Sequence, residues 1–168
     1  MGTGRRSSAA GRTVVLGVGE PFRRDDGCGP LVVRALRGRV RPGVERVEQV
    51  TEMTELIDLW DGAALAVVVD AMSSGGPVGS SVRWEGEQLL RAVPTRTTSS
   101  HGLSVRDAFE LGRALGRLPE RLVVYLIEVG EVGPGEALSP AVAAAVARTA
   151  EAIAADVGPA APRDVREG

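Results

Sequence analysis

Apolar residues fall along this chain in short unbroken runs separated by longer stretches of helical spacing. Val14-Val15-Leu16-Gly17-Val18, Ala64-Leu65-Ala66-Val67-Val68-Val69 and Leu122-Val123-Val124-Tyr125-Leu126-Ile127 are the clearest runs. Runs of this kind mark strands buried on both faces. The pattern predicts strands at 13–19, 44–50, 64–69 and within 121–129, with Ser81-Val82-Arg83-Trp84 as an edge strand. It predicts helices at about 27–39, at 53–60, as one turn at 87–92, after His101-Gly102 through Leu103, Phe109, Leu111, Ala114 and Leu118, and from Ser139-Pro140 to about Asp156. In the first helix Leu31, Ala35 and Leu36 share the inner face, while Arg34 and Arg37 reach water. Ser139 reads as an N-cap before a first-turn proline. Strands alternating with helices predict a single α/β domain, its mostly parallel sheet covered on both faces by helices.

Composition narrows the picture. The 168 residues suit one domain over 13–157, with a flexible arm at 1–12 and a flexible tail at 158–168. Apolar residues make up 43% of the chain but aromatics only 3%, so the core must be built from Val, Leu, Ile and Ala. A net charge of -2 predicts no nucleic-acid or membrane attraction. The single cysteine excludes an internal disulfide and fits a reducing cytoplasm. No run approaches a membrane span, and Arg5-Arg6 is followed by no signal-peptide core. The expected location is cytoplasmic.

The chemistry concentrates after the first strand, in Gly17-Val18-Gly19-Glu20-Pro21-Phe22-Arg23-Arg24-Asp25-Asp26-Gly27-Cys28-Gly29-Pro30. The third glycine of a dinucleotide fingerprint is absent, and two carboxylates at the mouth would repel a phosphate. A plain turn with an Asp N-cap explains Asp25-Asp26-Gly27 when they are taken alone. Partners elsewhere change the weighting. Asp70 closes the most apolar strand at the same carboxyl edge of the sheet, where a buried charge needs a partner or water. His101, the only histidine, opens a helix, and a helix N-terminus disfavours the imidazolium and leaves a neutral ring. Asp26, Asp70 and His101 together would give an oxygen, oxygen, nitrogen site for a divalent first-row metal, with coordination positions left open. Cys28, between two glycines, reads as a small buried side chain.

These stretches resemble the hydrogenase maturation proteases. The matching pieces are Val15-Leu16-Gly17-Val18-Gly19, Asp25-Asp26-Gly27-Cys28-Gly29, Val67-Val68-Val69-Asp70-Ala71 and Ser99-Ser100-His101-Gly102-Leu103, with weaker matches at Pro77-Val78-Gly79 and Leu138-Ser139-Pro140. The resemblance implies a doubly wound domain whose metal-binding residues are Asp26, Asp70 and His101, with Asp26 and Asp70 also catalytic. It implies an acid-residue endopeptidase that trims the C-terminal extension of a nickel–iron hydrogenase large-subunit precursor, and the chain is expected to act as a monomer. The nickel would arrive with that precursor. Two departures stand out. Glu20 occupies the place of the family's Asn, and Glu48-Gln49-Val50-Thr51 replaces its Asp-Gly-Gly-Thr, with Glu48 offering a carboxylate for a supporting role. The rival expectation is a binding module on the same fold that recognises a nickel-loaded partner without cutting it.

Overall fold

The computed structural model describes residues 11–92, 104–130, 133–135 and 137–158. Among the described residues, five strands form one sheet: β1 (Thr13–Val18), β2 (Val44–Val50), β3 (Leu65–Met72), β4 (Ser81–Glu85) and β5 (Arg121–Glu128). The α-helices among the described residues are α1 (Cys28–Ala35), α2 (Met53–Trp60), α3 (Gln88–Ala92), α4 (Val105–Ala114) and α5 (Pro140–Val157). The strand order is β2-β1-β3-β5-β4. All neighbours run parallel except the edge strand β4, which pairs antiparallel with β5.

The sheet separates two apolar layers, as the runs without polar breaks require. Val14, Leu16, Val18, Ala66, Val68, Val124 and Leu126 pack under α2, α3 and α4. Val15, Val67, Val69, Val123, Tyr125 and Ile127 pack under α1 and α5. The connections after β1 and after β3 thus leave toward opposite faces. The boundary between these two strands is a topological switch point, where open α/β sheets place ligands just beyond the carboxyl ends.

Several boundaries differ from the sequence reading. β3 continues past Asp70 to Met72, because β5 runs beside it and pairs Asp70 with Leu126 and Met72 with Glu128. Loss of apolar character therefore marks the rim of the core here, not the end of the ladder. α1 closes at Ala35 rather than near Arg39. Its last turn tightens through Leu36 N–H to Val33 O and Arg37 N–H to Arg34 O, and Gly38 follows at φ +71°. Val32, Val33 and Leu36 form its buried face, with Leu31 and Ala35 only half-buried. α4 starts after Ser104, which forms a reciprocal capping box with Asp107. It ends at Ala114, so Leu111 is exposed and Leu118 lies beyond the helix.

Of the arm expected at 1–12, only Gly11 and Arg12 lie within the described residues. Arg12 belongs to the fold: its carbonyl accepts from Ala64 N–H at 2.9 Å and its guanidinium meets Glu45 at 3.1 Å. Of the tail expected at 158–168, only Gly158 is described, and its carbonyl accepts from Arg41 N–H. No helix among the described residues is long and apolar enough to cross a membrane.

Candidate functional site

Asp26 and Asp70 reach the carboxyl edge of the sheet by different local means. After β1 the chain turns at Gly19, whose φ of +126° suits glycine, and a Cβ there would strike the Asp26 carbonyl. It then turns again through Arg23–Asp26 into a 3-10 turn, Asp25–Gly27, that leads directly into α1. Gly29 lets the start of α1 lie against the backbone of both switch-point strands, since a Cβ on it would run into the carbonyls of Val18 and Val69. This close approach seats Asp26 above the end of β1. Asp70 shares the alternation of Ala66 and Val68 on β3 and so rises on the α2–α4 face at the neighbouring strand.

Both carboxylates are nearly out of solvent, with Asp26 7% and Asp70 8% exposed. Asp70 Oδ1 accepts the N–H of Ala71 at 2.8 Å, and Asp26 Oδ2 is approached by the N–H of Glu20 at 3.5 Å. Burial pushes the Asp70 carboxyl up to about 7, the Ala71 hydrogen bond opposes that, and the charge of Asp26 adds to it. Cys28 lies in the same electrostatic neighbourhood. Its thiol is pushed far up by burial and then by Asp70 and Asp26, so it is an inert buried group and not a nucleophile.

The sequence-expected third ligand, His101, lies outside the described residues. Among the described residues no three His, Cys, Asp or Glu side chains are grouped to hold a metal ion. Glu48 is directed elsewhere. It sits in a bulge of β2 opposite Gly17, where the register moves from Leu16–Val47 to Val18–Val50. Arg37 reaches its carboxylate at 2.6 Å and Arg34 at 3.2 Å. Some desolvation works to raise its pKa, but the hydrogen bonds from Arg37 and Arg34 hold it below the usual carboxylate range. Arg34 and Arg37 are therefore ion-paired rather than simply hydrated, and Glu48 faces α1. Glu20 is half-exposed on the loop that carries Asp26.

Two buried acids that the sequence reading did not single out shape the rim. Asp25 is fully buried and gathers Ser139 N–H at 2.8 Å, Ser139 Oγ at 3.0 Å and Gly130 N–H at 3.3 Å. Ser139 holds the N-cap position of α5 as expected, yet its side chain makes no cap bond and turns to Asp25 instead. Glu128 is 2% exposed and takes Ser74 N–H, Ser74 Oγ and Gly75 N–H at 2.7–3.1 Å, which folds the loop after β3 back over β5. Glu128 closes an apolar run just as Asp70 does, and that signal was present in the sequence.

A family model described as hydrogenase maturation protease matches residues 30–156, a span that contains Asp70 and His101 and begins just after Asp26. The hydrogenase expression/formation protein HupD of Thiocapsa roseopersicina is 27% identical over 121 residues. That alignment covers 71% of this chain but 55% of HupD, so the chain spans about half of that relative. Among solved structures, the hydrogenase maturating endopeptidase HybD from E. coli superposes with a TM-score of 0.75 at 26% identity, covering 86% of this chain and 91% of that one. The [NiFe] hydrogenase maturation protease HybD from Thermococcus kodakarensis gives 0.71 at 25% identity, with 87% and 99% covered.

Proposed function

Because the chain belongs to the hydrogenase maturation protease family, we propose that it is the endopeptidase that removes the C-terminal extension of a nickel-loaded nickel–iron hydrogenase large-subunit precursor. The observation that carries this reading is the pair of nearly buried carboxylates, Asp26 and Asp70, at the switch point of the sheet. Two acids held close in a dry rim repel each other and favour an incoming cation. In this reading the nickel is part of the substrate. Asp26, Asp70 and His101 complete its coordination when the precursor docks, and the protein itself acts as a cytoplasmic monomer.

The docked ion would polarise the scissile carbonyl or the attacking water. A carboxylate within reach takes the proton from that water as its oxygen attacks the carbonyl carbon, and the proton then passes to the departing amide nitrogen. Asp26 and Asp70 both stand at this rim, and either could take the proton while the other holds the ion.

The test is to mix the full chain with nickel-loaded precursor and weigh the products. A fixed mass loss from the precursor's C-terminus is expected, with none from metal-free precursor. His101→Ala, Asp26→Asn and Asp70→Asn are each expected to lower the cleavage rate by at least about a hundredfold, the loss typical of removing a proton-transfer or ion-holding group. An uncut, stable complex would make the chain a binding module instead, and equal cutting of metal-free precursor would remove nickel from the mechanism.

A further inference from the structure

The turn that delivers Asp26 is held in a conformation its residues do not favour. Asp26 N–H donates to Arg23 O at 3.2 Å across a reverse turn whose second residue is Arg24, at φ 51° and ψ −123°. That region belongs to glycine in such turns. Among the described residues Arg24 is the only non-glycine with positive φ. A conformation of this kind is strained and persists only where its surroundings over-determine it.

The surroundings here are two layers of hydrogen bonds to the segment between β5 and α5. The outer layer is main-chain: Arg24 N–H donates to Gly135 O at 2.8 Å and Gly135 N–H to Phe22 O at 3.0 Å, while Arg24 Nε adds Pro134 O at 3.2 Å. The inner layer is Asp25. Its two carboxylate oxygens accept from Ser139 N–H, Ser139 Oγ and Gly130 N–H, with no exposure to water. Charge-assisted bonds of this kind are roughly twice as strong as neutral ones, and in a dry environment they fix direction as well as distance. Asp25 therefore ties the acidic turn both to the end of β5 and to the first residues of α5.

We propose that Asp25 is a positioning residue for Asp26: through Ser139 and Gly130 it fixes the turn that holds Asp26 beside Asp70. The inference rests on the reading of Asp26 as part of a proteolytic site. Asp25 itself is turned into the protein, away from water. α5 is seated separately from this tie by Val142, Ala145, Ala150, Ile153 and Val157. Loss of the tie frees the turn while the layers stay packed.

The experiment compares wild type, Ser139→Ala, Ser139→Thr and Asp25→Asn on nickel-loaded precursor, well below each protein's melting midpoint. Ser139→Ala removes one donor and leaves the rest, and is expected to lower kcat about tenfold with KM for the precursor within about twofold, as small misplacements of a reacting group do. Asp25→Asn turns an acceptor into a donor facing Gly130 N–H and is expected to lower kcat about a hundredfold. Ser139→Thr restores the hydroxyl and is expected to return kcat to near the wild-type value. Wild-type kcat in a folded Ser139→Ala, a loss that sits wholly in KM, or a loss that Ser139→Thr does not restore would each overturn the proposal. Should Asp25→Asn fail to fold, Ser139→Ala and Ser139→Thr decide alone. Cutting by the wild type with unaffected variants overturns this inference only, whereas a wild type that never cuts overturns the proteolytic reading with it.

Discussion

Asp70 makes a measurable demand on stability. Its folded carboxyl titrates at about 7, against an ordinary 3.8. The folded state thus holds a proton that the unfolded chain releases earlier. Below about pH 4 both states are protonated and the residue is neutral to stability. As pH rises from there to 7 the folded state loses ground, by at most on the order of 4 kcal/mol, and above 7 the loss is complete. Asp70→Asn keeps an oxygen for the Ala71 N–H and removes the charge. In metal-stripped protein the variant is expected to melt close to wild type at pH 4 and progressively above it through pH 7. The carboxylates held low by arginines, Glu48 and Glu85, lose stability in the opposite direction as pH falls, but equally in both proteins. A melting difference that stays constant with pH would mean that Asp70 is not buried as a charge. At this scale the sequence displayed Asp70, because a carboxylate closing an apolar run is visible without a structure, and Asp26, because it stands in the acidic loop after the first strand. It could not display what Asp25 or Glu48 touch, since Ser139 lies more than a hundred residues from Asp25 in sequence and the Arg34 and Arg37 pairing depends on how α1 lies across β2.

Elements were legible where burial is two-sided and less so where a turn or cap sets the boundary. β2 and α2 match their sequence spans residue for residue. The end of β3 was misplaced because hydrogen bonding to β5 outlasts the apolar pattern. The start of α4 was misplaced because a Ser104–Asp107 capping box, not the apolar period, sets where the helix begins. α1 illustrates how an element serves the site. Gly29 is fully buried in its first turn, and the strand carbonyls of Val18 and Val69 occupy the space a side chain would need. Gly29→Ala must therefore lift the helix from the sheet, since two backbones cannot yield as a flexible side chain can. The expected cost is about 1–3 kcal/mol from overpacking, despite alanine's better helix propensity. Because the 3-10 turn that carries Asp26 leads directly into this helix, cleavage is expected to fall together with the melting temperature. An unchanged melting temperature in Gly29→Ala would mean that α1 can slide without loss.

Over the whole molecule the two edges of the sheet divide the labour. The carboxyl edge gathers the buried acids Asp25, Asp26, Asp70 and Glu128, which contribute little packing. The opposite edge is closed by large apolar groups, and Trp60 is the largest wholly buried one. It ends α2, packs with Phe109 and Leu118 in the same layer, and its Nε1 donates to Arg117 O at 2.9 Å. Trp60→Phe leaves that carbonyl without its indole partner and opens a cavity where the second ring stood. A loss of about 2–4 kcal/mol is expected from the two effects together. The residue is separated from Asp26 and Asp70 by the length of the strands, and substitutions so far apart with no shared partner act additively. Combining Trp60→Phe with Asp70→Asn should therefore give a melting shift equal to the sum of the two single shifts at every pH. Below its melting midpoint Trp60→Phe should cleave with the wild-type kcat. Chemical unfolding of the four proteins at pH 5 and pH 8 measures the sum directly. Non-additivity beyond about 0.5 kcal/mol would show that the rim and the far edge are coupled through the strands between them, and the separation of stability from chemistry would then have to be abandoned.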